Sequence, residues 1–196
     1  MSSATLAQWL PEDDRVERAM AALDVEFRDP ALLQLALVHR SFLNELGADS
    51  TATVVASNER LEFLGDALLG MITAEWLYKQ YPDQPEGTLT SHRVALVRTE
   101  TLAEWATEIG LHELIYLARG EMGDGGDVRP RILAGAFEAV LGAIYLDRGM
   151  RIAKQFVRSL LETDADRVMG DGGTTNYKGR LQELIQDRER VTPGYR

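Results

Sequence analysis

Residues 57–81 read SNERLEFLGDALLGMITAEWLYKQY. Ser57 supplies an N-cap and Pro82 and Pro85 follow the end, so the stretch predicts one long, central helix from after Ser57 to about Tyr81. Outward from it, apolar residues recur at helical spacing from Pro11 to about Leu161. No period-2 run bounded by turn residues calls for a sheet. The expected fold class is therefore all-α. Asp29-Pro30 opens a helix as N-cap and first helical residue, with Leu32, Leu33, Leu35, Ala36 and Leu37 as its buried side. Glu45 to Ser57, rich in small and polar residues, reads as a loop. Further helices are expected at Leu89–Leu96, Thr99–Glu108, Ile132–Leu146 and Arg151–Leu161, and the third of these is apolar on nearly every side and so buried. Between Arg119 and Arg129, the acidic run Gly120 to Asp127 reads as a flexible exposed loop. Thr163 to Thr175, dominated by Asp, Gly and Thr, reads as a linker before a last amphipathic helix bearing Tyr177, Leu181, Leu184 and Ile185.

A chain of 196 residues with 45% hydrophobic content can bury one sizeable core with a short appendage. It has no cysteine, which removes disulfides and thiolate metal sites and suits a reducing compartment. Met1 to Leu10 lacks a basic segment followed by an apolar run, and no stretch is apolar for long enough to span a bilayer. A cytoplasmic location and no membrane partner are expected. The net charge of -10 by itself argues against a polyanionic partner, unless carboxylates are gathered to hold divalent cations and so create a phosphate site.

Such carboxylates are present. On a helix turning about 100° per residue, Glu59, Glu62 and Asp66 fall within roughly 60° of one another, opposite Leu61, Leu64 and Leu68. Three acids on one face repel and call for full solvation or for a cation. Gly65 among them costs about 1 kcal/mol relative to Ala and suggests close approach by another backbone. Glu138 stands alone among Leu133, Ala136, Phe137, Val140, Leu141, Ala143 and Ile144. It needs either a salt bridge, to an arginine such as Arg93, or a metal. Mg²⁺ takes oxygen ligands, keeps several waters, and is held by one or two carboxylates plus substrate phosphate. Glu62, Asp66 and Glu138 are the candidate set. Two such ions would activate water for in-line attack on a phosphodiester, leaving a 5′-phosphate and a 3′-hydroxyl. His39, His92 and His112 do not follow a Glu at di-iron spacing and do not pair as base and acid, and no phosphate-binding glycine loop or nucleophile elbow occurs.

Asn58 to Asp66 resembles the signature of bacterial ribonuclease III. The likeness continues through His39-Arg40-Ser41-Phe42, Pro85-Glu86-Gly87, Leu102-Ala103-Glu104, Ile132-Leu133-Ala134, and Phe137-Glu138-Ala139 to Asp147. The resemblance implies a helical homodimer that cuts double-stranded RNA with Mg²⁺, for which Mn²⁺ substitutes, in the processing of ribosomal RNA precursors and other transcripts. It places catalysis on Asp66 and Glu138, metal ligation on Glu62, Asp66 and Glu138, and cleft support on Glu59 and Glu86. Phe63 becomes a candidate dimer contact. It also divides the chain into a nuclease domain, 11–162, a linker, 163–175, and the first helix of a double-stranded-RNA-binding domain, 176–196. Three features depart from the family pattern. Gly135 stands where an aspartate is usual, the loop around Asp124 and Asp127 is acidic where relatives tend to be basic, and the RNA-binding domain is expected only as its opening helix. The alternative they leave open is a catalytically weakened or inactive homologue that binds duplex RNA as a scaffold.

Overall fold

A computed structural model describes residues 10, 11, 13–48, 56–123 and 127–172. Its helices are α1 (Arg15–Leu23), α2 (Pro30–Ala36), α3 (Arg40–Glu45), α4 (Glu59–Gln80), α5 (Glu86–Leu96), α6 (Thr99–Glu108), α7 (Pro130–Arg148) and α8 (Met150–Gly172). Single 3₁₀ turns lie at Leu111–Glu113 and Arg119–Glu121. Among the described residues there is no sheet, only the isolated bridges Val38 to Tyr116 and Met122 to Val128.

α7 is the buried axis of the fold. Every residue from Leu133 to Ile144 except Glu138 is buried, as the apolar run predicts. α4 lies across it in the largest helix–helix contact, and α6 covers it next. The approach to α4 is backbone on backbone. A Cβ on Gly65 would overlap the Glu138 carbonyl oxygen, and one on Gly142 would lie 2.5 Å from the Leu61 carbonyl oxygen. Beside this crossing Phe137 packs between Trp105 and Phe156, with ring centroids 5.7 Å from each.

The elements follow their local signals with some shifts. Asp29 caps α2 by accepting the Ala31 N–H at 3.1 Å, with Pro30 first in the helix. Leu33, Ala36 and Leu37 are fully buried there, whereas Leu32 and Leu35 are only partly covered. α4 starts one residue later than the expected cap, with Asn58 at that position, and α5 and α7 start earlier, at Glu86 and Pro130. α1 and α3 are not among the helices expected from the sequence, although α1 carries an apolar face of Val16, Ala19, Met20 and Leu23; α3 has only six residues. The expected linker is corrected at its near end, because α8 continues through 163–172. Ala165 and Val168 extend the buried stripe of Val157 and Leu161, and Asp164 accepts the Trp105 Nε1–H at 2.9 Å. A composition of Asp, Gly and Thr conceals that stripe. Residues 173–196, with the expected last helix, lie outside the described residues, as do 124–126 and most of the 45–57 loop.

Candidate active site

α4 and α7 bring three of the expected carboxylates together. Glu62 and Asp66 follow one another at i,i+4 on α4. Glu138 sits where Gly65 lets the α7 backbone approach, and both Asp66 and Glu62 act electrostatically on it. Burial first, and then those two charges, push the Glu138 carboxyl up to about 7. Glu62 is half-buried and also raised, by burial and then by Glu59 and Asp66, with Arg131 pulling the other way. Glu138 forms no ion pair with Arg93 or any other described residue, so the salt-bridge alternative is not realised. A carboxylate partly withdrawn from water, beside two like charges and without a counter-ion, fits a divalent cation. Among the described residues no three acidic or imidazole side chains close into a ready metal cage. Mg²⁺ suits such an open arrangement, because water and substrate oxygens complete its shell.

A cleft of about 410 Å³ opens beside Glu62, lined by His39, Arg40, Asn58, Glu59, Glu121, Arg129, Arg131, Ile132 and Gly135. Glu59 is held at its edge, its Oε1 pairing with Arg40 Nη1 at 3.1 Å and its Oε2 accepting the Ser57 hydroxyl at 3.3 Å. Arg129 pairs with Glu121 at 3.1 Å. The His39 segment is fixed at this cleft by backbone bonds: the His39 N–H donates to the Tyr116 carbonyl at 3.0 Å, and the Asn58 N–H donates to that of Val38 at 2.8 Å. His39 Nδ1 accepts the Ser41 backbone N–H at 3.3 Å and lies 2.8 Å from the Ser41 hydroxyl, whose oxygen in turn accepts the Ala118 N–H. Nδ1 therefore carries a lone pair, and burial above all lowers the pKa of the ring. His39 thus serves as the N-cap of α3.

Glu86 is not drawn into this group by any described contact. It is exposed at the start of α5, where it accepts the Thr90 hydroxyl at 2.9 Å. The cleft residues that spacing does not single out are Arg40, Asn58, Glu121, Arg129 and Arg131, which arrive from four places: the start of α3, the cap of α4, the 3₁₀ turn at Arg119–Glu121 and the start of α7. The family likeness includes Arg40 and Asn58 and resumes at Ile132, next to Arg131, whereas Glu121 and Arg129 lie outside its quoted stretches. Asn58 is 2% exposed, and its Oδ1 has no hydrogen-bond partner at the cleft wall.

Similarity to known proteins agrees with this geometry. The Ribonuclease-III-like family model matches residues 29–164. A protein named Ribonuclease 3 from Bdellovibrio bacteriovorus is 45% identical over 171 residues, covering 87% of this chain and 71% of the relative. One from Dehalococcoides mccartyi is 47% identical over 175 residues, covering 89% and 72%. A solved structure of the nuclease domain of ribonuclease III from Campylobacter jejuni, described for flexibility in its dimer-forming region, superposes with a TM-score of 0.66 at 37% identity, covering 76% of this chain and 96% of that one. With a family match over most of its length and its carboxylates gathered at the α4–α7 crossing, this chain belongs to the ribonuclease III family of metal-dependent endoribonucleases.

Proposed function

We propose that this chain hydrolyses double-stranded RNA at a site made by Glu62, Asp66 and Glu138, which hold Mg²⁺ or, in its place, Mn²⁺. The observation that carries this reading is Glu138, a partly buried carboxylate without a counter-ion, faced by the charges of Asp66 and Glu62. Bound divalent cations would supply a nucleophilic water and neutralise the charge that develops on the phosphate. The chain's own contribution is to keep three carboxylates on two rigid helices that meet backbone to backbone. Asp66 and Glu138 are the catalytic pair in this reading and Glu62 shares the metal. Glu59, fixed by Arg40 and Ser57, supports the cleft wall, and Glu86 supports the substrate from α5.

Arg40, Arg129 and Arg131 set guanidinium groups in a cleft that also holds Glu59, Glu62 and Glu121; Arg40 and Arg129 are paired with Glu59 and Glu121, and Arg131 has no ion pair among the described residues, so these groups are where duplex phosphates would be met. The working form is a homodimer acting in the cytoplasm on ribosomal RNA precursors and other structured transcripts. Its contact surface is on α4, where Phe63 is 80% exposed and Tyr78 73% exposed, with Met71 between them. Residues 11–162 form the nuclease domain, with α8 running on to Gly172 before the start of an RNA-binding module at 176–196. No helix of the described residues is long and apolar enough to cross a membrane.

Incubation of labelled duplex RNA with the purified chain in Mg²⁺, Mn²⁺ or chelator, followed by end-group analysis, tests the reading. Metal-dependent fragments with 5′-phosphate and 3′-hydroxyl ends are expected. Duplex binding without any such product would favour the scaffold alternative, for which the missing side chain at Gly135 is the specific sign.

A further inference from the structure

The main chain and the side chain of Tyr116 are fastened to different parts of the molecule. The main chain belongs to the cleft. The Tyr116 N–H donates to the Leu37 carbonyl at 2.8 Å, its carbonyl accepts the His39 N–H at 3.0 Å, and the Val38 carbonyl accepts the Asn58 N–H at 2.8 Å. The next residues of those two segments, Arg40 and Glu59, form the ion pair at the cleft edge. Two residues beyond Tyr116, the Ala118 N–H donates to the Ser41 hydroxyl oxygen at 3.2 Å, and the 3₁₀ turn that follows carries Glu121 into the cleft. The side chain, which is buried, turns instead to the entry of α1. Its hydroxyl donates to Asp13 Oδ1 at 2.8 Å, the Arg15 guanidinium lies 4.4 Å from its ring centroid, and Arg15 Nη1 donates to the Ile115 carbonyl at 3.2 Å. Asp13 is in turn held by Arg15 Nε at 3.2 Å. Gln34 of α2 hydrogen-bonds the same hydroxyl, and the Phe42 ring of α3 packs with its centroid 5.6 Å away. Phenylalanine would fill this volume equally well, so packing alone does not call for the hydroxyl or for a carboxylate beside it.

We propose that Tyr116 is a positioning residue for duplex RNA: its hydroxyl, held by Asp13, clasps the entry of α1 to the segment that sets His39, Arg40 and Asn58 in the cleft wall. The inference rests on the reading of that cleft as the place where duplex phosphates are met. The clasp acts through main-chain bonds, so its loss loosens the wall as a unit, and Arg40 with it. The carboxylates are set by the backbone contact of α4 with α7, outside this clasp. Losing the clasp therefore weakens binding of the duplex and spares the chemical step, which kinetics separates as a raised KM at an unchanged kcat.

Amide hydrogen exchange of the full chain, without metal or RNA, reads the clasp, and steady-state cleavage of a labelled duplex in Mg²⁺ reads its use. Asp164→Ala is the control, since it removes a bond of similar kind, from the Trp105 indole at 2.9 Å, where α6 meets α8. Tyr116→Phe is expected to speed exchange over residues 37–42 by roughly tenfold, about the worth of one hydrogen bond to a charged group, while Asp164→Ala leaves that segment as in the parent. The KM for duplex should rise by roughly three- to tenfold in Tyr116→Phe, with kcat within about twofold of the parent. Asp13→Ala should reproduce both changes, and the double variant should go no further than either single one, because both remove the same bond. Unchanged exchange in Tyr116→Phe would overturn the proposal. Exchange sped equally by Asp164→Ala would do the same, since it would mean a general loss of stability, as would additive effects of Asp13→Ala and Tyr116→Phe, or a KM unmoved when exchange is faster. A parent that neither binds nor cuts duplex would bring down the cleft reading instead, and the exchange comparison, made without RNA, would still decide whether the clasp exists.

Discussion

Glu138 carries the charge that its helix can least accommodate, and this makes it a measurable reporter of the site. Its folded-state carboxyl titrates near 7, above the ordinary glutamate value, so its contribution to the stability of the metal-free protein is complete below that ordinary value. The contribution is lost as pH rises through about 7. With the partial exposure of the group discounted for screening, the loss is on the order of 1–2 kcal/mol. In chelator the parent should therefore lose more melting temperature than Glu138→Gln between about pH 5 and pH 8, and Mg²⁺ should restore the parent at the upper end. Equal slopes for the two proteins would show that Glu138 is not under this repulsion. At this scale the sequence is legible where one helix fixes the geometry: Glu62 and Asp66 are neighbours by helical period alone, and Glu138 stands out as a lone acid in an apolar run. The grip of Arg40 on Glu59, and the Glu62 carboxylate lying over Gly135, join segments distant in the chain, which no local pattern records.

The crossing of α4 and α7 does at the scale of elements what the carboxylates need, since it sets their separation through backbone contact. Gly65→Ala improves the intrinsic helix propensity of α4 yet places a methyl group on the Glu138 carbonyl, so the helices must part. A destabilisation on the order of 3 kcal/mol is expected, a fall of roughly 6–12 °C in melting temperature for a chain of this size. Thermal unfolding followed by circular dichroism checks it, and an unchanged melting temperature would mean that α4 and α7 do not meet at Gly65. The sequence announces this feature, because a glycine within a strong helical pattern has few other uses. It is less informative about the extent of α8, whose stripe of Leu161, Ala165 and Val168 is carried by small residues scattered among Asp, Thr and Arg. α3 is six residues long, less than two turns, so it shows little period and owes its place to the His39 cap and the bridge from Val38 to Tyr116.

For the whole molecule, the net charge of -10 and the duplex substrate are compatible only if negative charge is concentrated where cations sit and arginines line the adjoining cleft. Duplex binding should accordingly be weak in chelator and fall steeply as monovalent salt is raised. The exposed side of α4 provides the other large-scale expectation: Phe63→Asp puts a charge on the proposed dimer surface at its most exposed aromatic residue and should shift sedimentation from dimer to monomer while leaving helical content intact. A Phe63→Asp protein that remained dimeric would move the contact to another face. In the proposed site Asp66, with Glu62 and Glu138, performs metal-dependent cleavage of duplex RNA. Its most direct test is the single-turnover rate on a labelled duplex in Mg²⁺ for Asp66→Asn beside the parent, with matching circular dichroism and sedimentation for both. Cleavage by the parent and none by the folded, dimeric variant is expected; an Asp66→Asn protein that cut as fast as the parent would show that Asp66 takes no part in the chemistry.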